Sequence, residues 1–220
     1  FLIAIVIAFP FVRGISISFS NEKDIVTYGF SILPRSFDLS AYKYIFANPK
    51  AIMNAYGVTA FFSVVGTVLS VALMSMIAYP LSKKYYKPRN AVSFYIFFTM
   101  LFSGCMVPSY ILITRYLHMM DSVWVYIIPG LVAPWYIFML RTFFQGLPDA
   151  ISESAFIDGA DEFRIFYSII LPMSKPALAT CALLIFLGKW NDWYTTVLYI
   201  NRPSLYSLQY LLQKMMSDVK

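Results

Sequence analysis

The chain has 220 residues, of which 60% are apolar, 19% aromatic and only 13% charged, with a net charge of +6. Soluble domains average about 45–50% apolar and about 25% charged residues, so composition places this sequence among membrane proteins. The bases do not cluster with exposed aromatics on a polar background, which argues against a nucleic-acid surface; Cys105 and Cys181 lack CxxC spacing and read as buried thiols, and the only histidine, His118, leaves no ligand set for a metal.

A helix needs about 20 apolar residues to cross a bilayer. In chain order, the first such run is Phe1 to about Phe19. Arg13 interrupts it and no small-residue cleavage pattern follows, so a first span cut at its amino end fits better than a signal peptide. The second span lies within Ala51–Ser82, a stretch without charge. The third covers about Ala91–Thr114 and the fourth about Ser122–Leu140. The fifth runs from Pro176 to about Ile200, with Lys189 and Asp192 in its second half. Pro80, Pro108, Pro129 and Pro134 fall inside these runs, either as kinks around a path or as ordinary packing kinks, and Pro80 also suits a helix end.

The loop "KKYYKPR" (Lys83 to Arg89) carries four bases and no acid, which predicts a cytoplasmic location. Counting outward, the amino terminus and residues 141–175 are cytoplasmic, while residues 20–50, 115–121 and 201–220 are outside. The loop 141–175 is unusual because it holds Asp149, Glu153, Asp158, Asp161 and Glu162 against few bases. Acids weigh little in topology, so insertion does not explain them.

Within that loop, Pro148 and Asp149 suit a helix start. Ile151, Ala155 and Phe156 share one face, and Gly159 suits a chain reversal. Phe163, Phe166 and Ile170 then repeat at helical spacing, and Leu171–Pro172 is expected to end the second helix. An amphipathic connector lying on the membrane would carry mainly Lys and Arg on its polar face. This segment is mainly acidic and fits a basic groove on a soluble partner, with Glu153 placed to pair with an arginine.

Glu153-Ser154-Ala155, Asp158-Gly159-Ala160, Ile169 and Leu171-Pro172 resemble the EAA signature of ABC importer permeases, with Ser154 where Ala is usual. The stretch from about Phe37 to Lys214 resembles the carbohydrate-importer group, the maltose-permease G-subunit type. Within that group, "LGKWNDWYTTVLYINRPSLYSLQYLL" looks similar to the branch for complex oligosaccharides such as alginate fragments. The resemblance implies an all-α transmembrane bundle of the type I importer permease fold, a single permease domain over 1–220 containing a cytoplasmic coupling segment at 148–172. Members have six spans, so a sixth is expected beyond Lys220. It implies a permease subunit of an ATP-driven, binding-protein-dependent oligosaccharide importer in the bacterial inner membrane, not an enzyme and without catalytic residues. Its implied partners are a second permease subunit, two ATP-binding subunits that hold ATP and Mg, and an external substrate-binding protein; this chain binds no cofactor. Glu153, Ser154, Ala155, Asp158, Gly159 and Ala160 are the residues implied to couple to the ATPase.

The sequence is consistent with ATP being handled elsewhere. "GKW" at Gly188–Trp190 lacks the upstream glycine and following Ser/Thr of a phosphate-binding loop. For the substrate path, "KWNDWYTT" mixes aromatic faces with polar groups, which makes Trp190, Asn191, Trp193 and Tyr194 candidates. An aromatic belt at the membrane interface accounts for the same residues, and Lys189 with Asp192 reads equally as a plain ion pair. Ser63, Gly66, Thr67 and Ser70 form a small-residue stripe suited to packing against the partner permease. Residues 20–50 read as an external strap or short helix against the binding protein. The alternatives are a lipid-modifying membrane enzyme and a channel or secondary transporter not driven by ATP. The spans hold too few ionisable groups for the first, and no internal repeat supports the second.

Overall fold

A computed structural model describes residues 2–21, 29, 36–39, 42–43, 49–102 and 104–218. The described residues are helical, apart from turns, connecting segments and one isolated antiparallel bridge between Ser20 and Phe37. The chain divides into two compact units, Phe1–Met53 and Asn54–Lys220. In the first, α1 (Leu2–Ser18) contains Pro10 and presents Ile7, Phe11 and Ile15 as exposed apolar groups. Phe19 stacks on Phe37 and Tyr42, and Asn21 donates to Asp38, which closes the chain behind the helix. Most of the expected external strap at 20–50 lies outside the described residues.

The second unit is organised on α2 (Pro49–Ser82), which belongs to it from Asn54 onward and whose 34 residues span about 51 Å. It exceeds the ~30 Å of a bilayer core and alone has the length and composition to cross a membrane as one unbroken helix among the described residues. Its middle section departs from the pattern of a soluble helix, although Phe62, Met74 and Leu81 are also buried. Thr59, Ser63, Gly66, Thr67 and Ser70 are buried, while Phe61, Val64, Val68 and Leu73 are exposed. Lipid supplies no hydrophobic drive between helices, so small residues are placed where backbones approach and bulky apolar ones face outward. The stripe Ser63–Ser70 is therefore buried within this chain and not reserved for a partner permease. Lys189 lies across Gly66, where an added Cβ would come within 2.8 Å of the lysine Cε, and Thr59 Oγ1 accepts from the Leu208 amide at 2.9 Å.

Two apolar clusters pack against α2, one around its middle and one toward its C-terminal end. One stacks Phe62 on Tyr126 at 4.3 Å, with Ile113, Val125, Tyr199 and Ile200 around them. The other joins Met74, Ala78 and Leu81 to Ile137, Leu140 and Phe144 of α5 (Pro134–Gln145) and to Ala155, Ile165, Phe166 and Cys181.

The remaining expected spans are interrupted where the backbone chemistry demands it. The third breaks after α3 (Arg89–Leu101) and resumes as α4 (Met106–Tyr116), with Cys105 at positive φ between them; this break leaves the Cys105 thiol exposed, contrary to the expected burial, while Cys181 is buried. The fourth is not one helix. A single 3-10 turn (Val123–Tyr126), capped by Ser122, precedes an irregular stretch, and α5 starts only at Pro134. Ala133 is extended (φ −120, ψ 116), as a residue before proline prefers. The fifth ends at Trp190: α8 (Lys175–Trp190) stops at Asn191, and α9 (Tyr194–Tyr199) begins separately.

Leu171–Pro172 does not end its helix. α7 (Glu162–Met173) runs through Pro172 because residues Phe166–Ile170 form a π turn. A wider turn just before proline relieves the clash of its ring with the carbonyl one turn back. The break comes at Ser174, where α8 departs at 77°. A 3-10 turn (Pro203–Leu205) and α10 (Leu208–Asp218) complete the described chain.

Candidate coupling site

The segment 148–172 forms two helices joined by a tight reversal. Pro148 is extended and precedes α6 (Asp149–Ile157), whose first turn carries Asp149, where an acid complements the helix dipole. The helix closes as a Schellman motif. The Ala160 amide donates to the Ala155 carbonyl at 2.9 Å, and the Gly159 amide to the Phe156 carbonyl at 3.0 Å. That closure needs a left-handed residue, and Gly159 supplies it at φ +81. Asp161 then caps α7 by accepting the Arg164 amide at 2.8 Å.

This geometry divides the six expected coupling residues into two groups. Ala155 is buried and Ala160 half-buried, both packed on the core, so they shape the turn. Glu153, Ser154, Asp158 and Gly159 are exposed, beside exposed Phe156, Ile157 and Phe163. Acids and bulky apolar groups thus share one surface.

The acidic character of the loop is partly used inside the chain. Lys84 pairs with Asp149 at 3.5 Å, Asp161 caps α7, and Glu162 accepts from the Tyr79 hydroxyl at 2.7 Å and from the Tyr85 hydroxyl. Lys83 donates to Ser152 at 2.8 Å. The basic loop 83–89 therefore lies against the acidic segment; both charge runs are legible in the sequence, but their contact is not, because they are distant along the chain. Desolvation first, then the hydrogen bond and charge of Glu162, push the Tyr85 phenol above its ordinary range and keep it a neutral donor. Glu153 and Asp158 have no side-chain partner among the described residues.

The four path candidates do not converge on one cavity. Trp190 stacks on Phe186 at 5.6 Å and tilts against Tyr56. Asn191 donates to the Leu187 carbonyl at 2.9 Å and accepts from Gln209. Trp193 meets Tyr194 edge-on at 6.0 Å, and the Tyr194 hydroxyl contacts the Met106 sulfur. Their neighbours Lys189, Asp192 and Thr195 instead line a cavity of about 350 Å³ with Tyr126 and Tyr136. Lys189 and Asp192 are not an ion pair. The lysine donates to the Tyr126 carbonyl at 3.1 Å, and Asp192 accepts the Thr195 amide at 3.0 Å. Helix α8 ends between them, which turns the two side chains apart from the i,i+3 geometry of a continuous helix.

At the far end of α8 and α9, Asp121 holds a junction between two loops. Its carboxylate accepts the Asn201 and Arg202 amides, and its own amide donates to the Tyr199 carbonyl. Those two backbone donors hold its carboxyl below the usual range. Among the described residues, no cluster of His, Cys, Asp or Glu is arranged to hold a metal.

Residues 1–216 match the family described as "Binding-protein-dependent transport system inner membrane component". Protein LplC of Bacillus subtilis (strain 168) is 40% identical over 205 residues, which are 93% of this chain and 69% of that protein. The polygalacturonan/rhamnogalacturonan transport system permease protein YtcP of the same organism is 37% identical over 213 residues, covering 97% of this chain and 74% of its own length. Among solved structures, a bacterial ABC transporter involved in the import of the acidic polysaccharide alginate superposes with a TM-score of 0.91 at 29% identity, over 100% of this chain and 78% of that one. A helical chain whose bulky apolar groups face outward, with a helix–glycine turn–helix segment presented beyond its core, thus belongs to the binding-protein-dependent ABC importer permeases, as an inner membrane component.

Proposed function

We propose that this permease moves oligosaccharides, and that the segment 148–172 is its contact with an ATP-hydrolysing partner. The observation that carries the reading is the surface formed by Glu153, Ser154, Asp158 and Gly159 with exposed Phe156 and Ile157, held in place by a fully bonded turn. Carboxylates suit arginines of a groove, and the apolar groups suit its floor. ATP and Mg are held by two separate ATP-binding subunits. Their closure moves the segment, and the attached helices α5 and α8 tilt so that the path alternates its access. Charge in loop 83–89 supports a cytoplasmic position for the segment and a cytoplasmic amino terminus. A second permease completes the path, and an external binding protein delivers the sugar. Trp190, Asn191, Trp193 and Tyr194 stand as path contacts, joined by Lys189 at its cavity. Acidic oligosaccharides are the first cargo to test, because two relatives are named for acidic or pectic polymers.

The test is uptake into vesicles holding both permeases and the ATP-binding subunits, with the binding protein and labelled oligogalacturonate or oligoalginate outside. Uptake that requires ATP inside is expected. Uptake that proceeds equally without ATP would contradict the reading.

A further inference from the structure

We propose that Glu162 is a positioning residue that locks the coupling segment to the end of α2, so that displacement of the segment is passed to a membrane-crossing helix. The inference rests on the coupling role proposed above and adds the element that receives the motion.

Glu162 opens α7, three residues after Gly159. One carboxylate oxygen accepts from Tyr79 at 2.7 Å, and the other from Tyr85. Tyr79 lies in the last turn of α2 and is only 7% exposed, its ring against Phe166 at 5.0 Å and edge-on to Phe144 at 6.5 Å. One side chain thus ties α7 both to α2 and to the loop that follows it. A second tie runs to α6: the Lys83 ammonium lies 5.1 Å over the Tyr79 ring and donates to Ser152, itself buried. Lys84–Asp149 adds little, since both side chains are exposed.

Two features make this joint a lock and not ordinary packing. Phenol-to-carboxylate bonds are charge-assisted and directional, so they fix one register where apolar surfaces can slide. The apolar contact here is also incomplete, because a cavity of about 280 Å³ lies between Met76, Tyr79, Tyr86, Phe163 and Phe166. The hydrogen bonds therefore add a fixed register to the apolar packing between α2 and α7.

The test uses the full importer with its ATP-binding subunits in lipid vesicles. Spin labels are placed at Val68 and Ser168, both exposed, in a Cys105→Ser background. In the wild type, the label–label distance is expected to stay single and unchanged when a non-hydrolysable ATP analogue and Mg are added. In Tyr79→Phe/Tyr85→Phe, which keeps both rings, the distance is expected to shift and broaden with nucleotide, while the ATP-binding subunits stay bound. Glu162→Gln should fall between the two, since its amide oxygen still accepts without the charge. A double variant whose distances match the wild type in both states would overturn the lock, as would loss of the ATP-binding subunits from that variant. Failure of the wild type to retain those subunits would overturn the lock together with the coupling reading beneath it.

Discussion

Gly159 is required by conformation and not by space. Its φ of +81 closes the Schellman motif, yet a Cβ there would meet nothing within 4 Å of this chain. Two substitutions separate these effects. Gly159→Ala should cost about 1 kcal/mol through left-handed strain and leave the protein in the membrane. Gly159→Asn tolerates the left-handed conformation better but adds bulk at the surface proposed to dock, so it should lose ATP-driven uptake while keeping thermal stability. Wild-type uptake by Gly159→Asn would remove this residue from the interface. Asp121 gives a prediction in pH. Its folded carboxyl lies below its unfolded value, so the contact stabilises the junction above the unfolded value and is lost as pH falls through the folded one. Protection of the Asn201 and Arg202 amides from deuterium exchange, taken relative to their intrinsic rates, should fall on acidification, and Asp121→Ala should flatten that dependence. The reversal at Gly159 was legible because glycine, acid and spacing coincide locally. That Ala155 and Ala160 turn inward was not, because their burial depends on α2 and α5, which are distant in sequence.

Among the elements, α2 shows how a membrane sequence hides its core. Hydropathy marks the whole run alike, and only its small and hydroxyl-bearing residues reveal the packed face. The stripe was visible, but its occupant was not, since nothing local to Ser63–Ser70 points to Lys189 more than a hundred residues later. Phe61 and Phe62 test the assignment of faces. Phe62 is fully buried and stacked on Tyr126, so Phe62→Ala should destabilise the detergent-solubilised subunit by about 3 kcal/mol. Phe61 is 48% exposed, and Phe61→Ala should change the unfolding temperature little. Equal effects would mean that the packed face is misassigned. The broken fourth span was foreshadowed by Pro129 and Pro134, whose effect on the preceding residue is a local rule. The passage of α7 through Pro172 was not, because a π turn has no sequence signature comparable to a cap.

For the whole molecule, the family and the helical architecture follow from signals spread along the chain: apolar runs, a basic loop, and one acidic segment in register with a known signature. The path was harder to place. Aromatic residues near a membrane interface satisfy packing and sugar binding alike, and helix α8 stops before the candidates could line one wall. The structure instead connects the acidic segment to α2 directly and through loop 83–89, which would give the proposed docking a mechanical consequence. The most direct test of that account is a cross-link from the segment to its partner. A single cysteine at Ser154, with exposed Cys105 replaced by Ser and fully buried Cys181 retained, would be treated with a short bifunctional reagent in native membranes. Capture of an ATP-binding subunit, with a yield that changes on adding ATP, is the predicted result. A folded protein that yields only self-linked or lipid-linked products would contradict it.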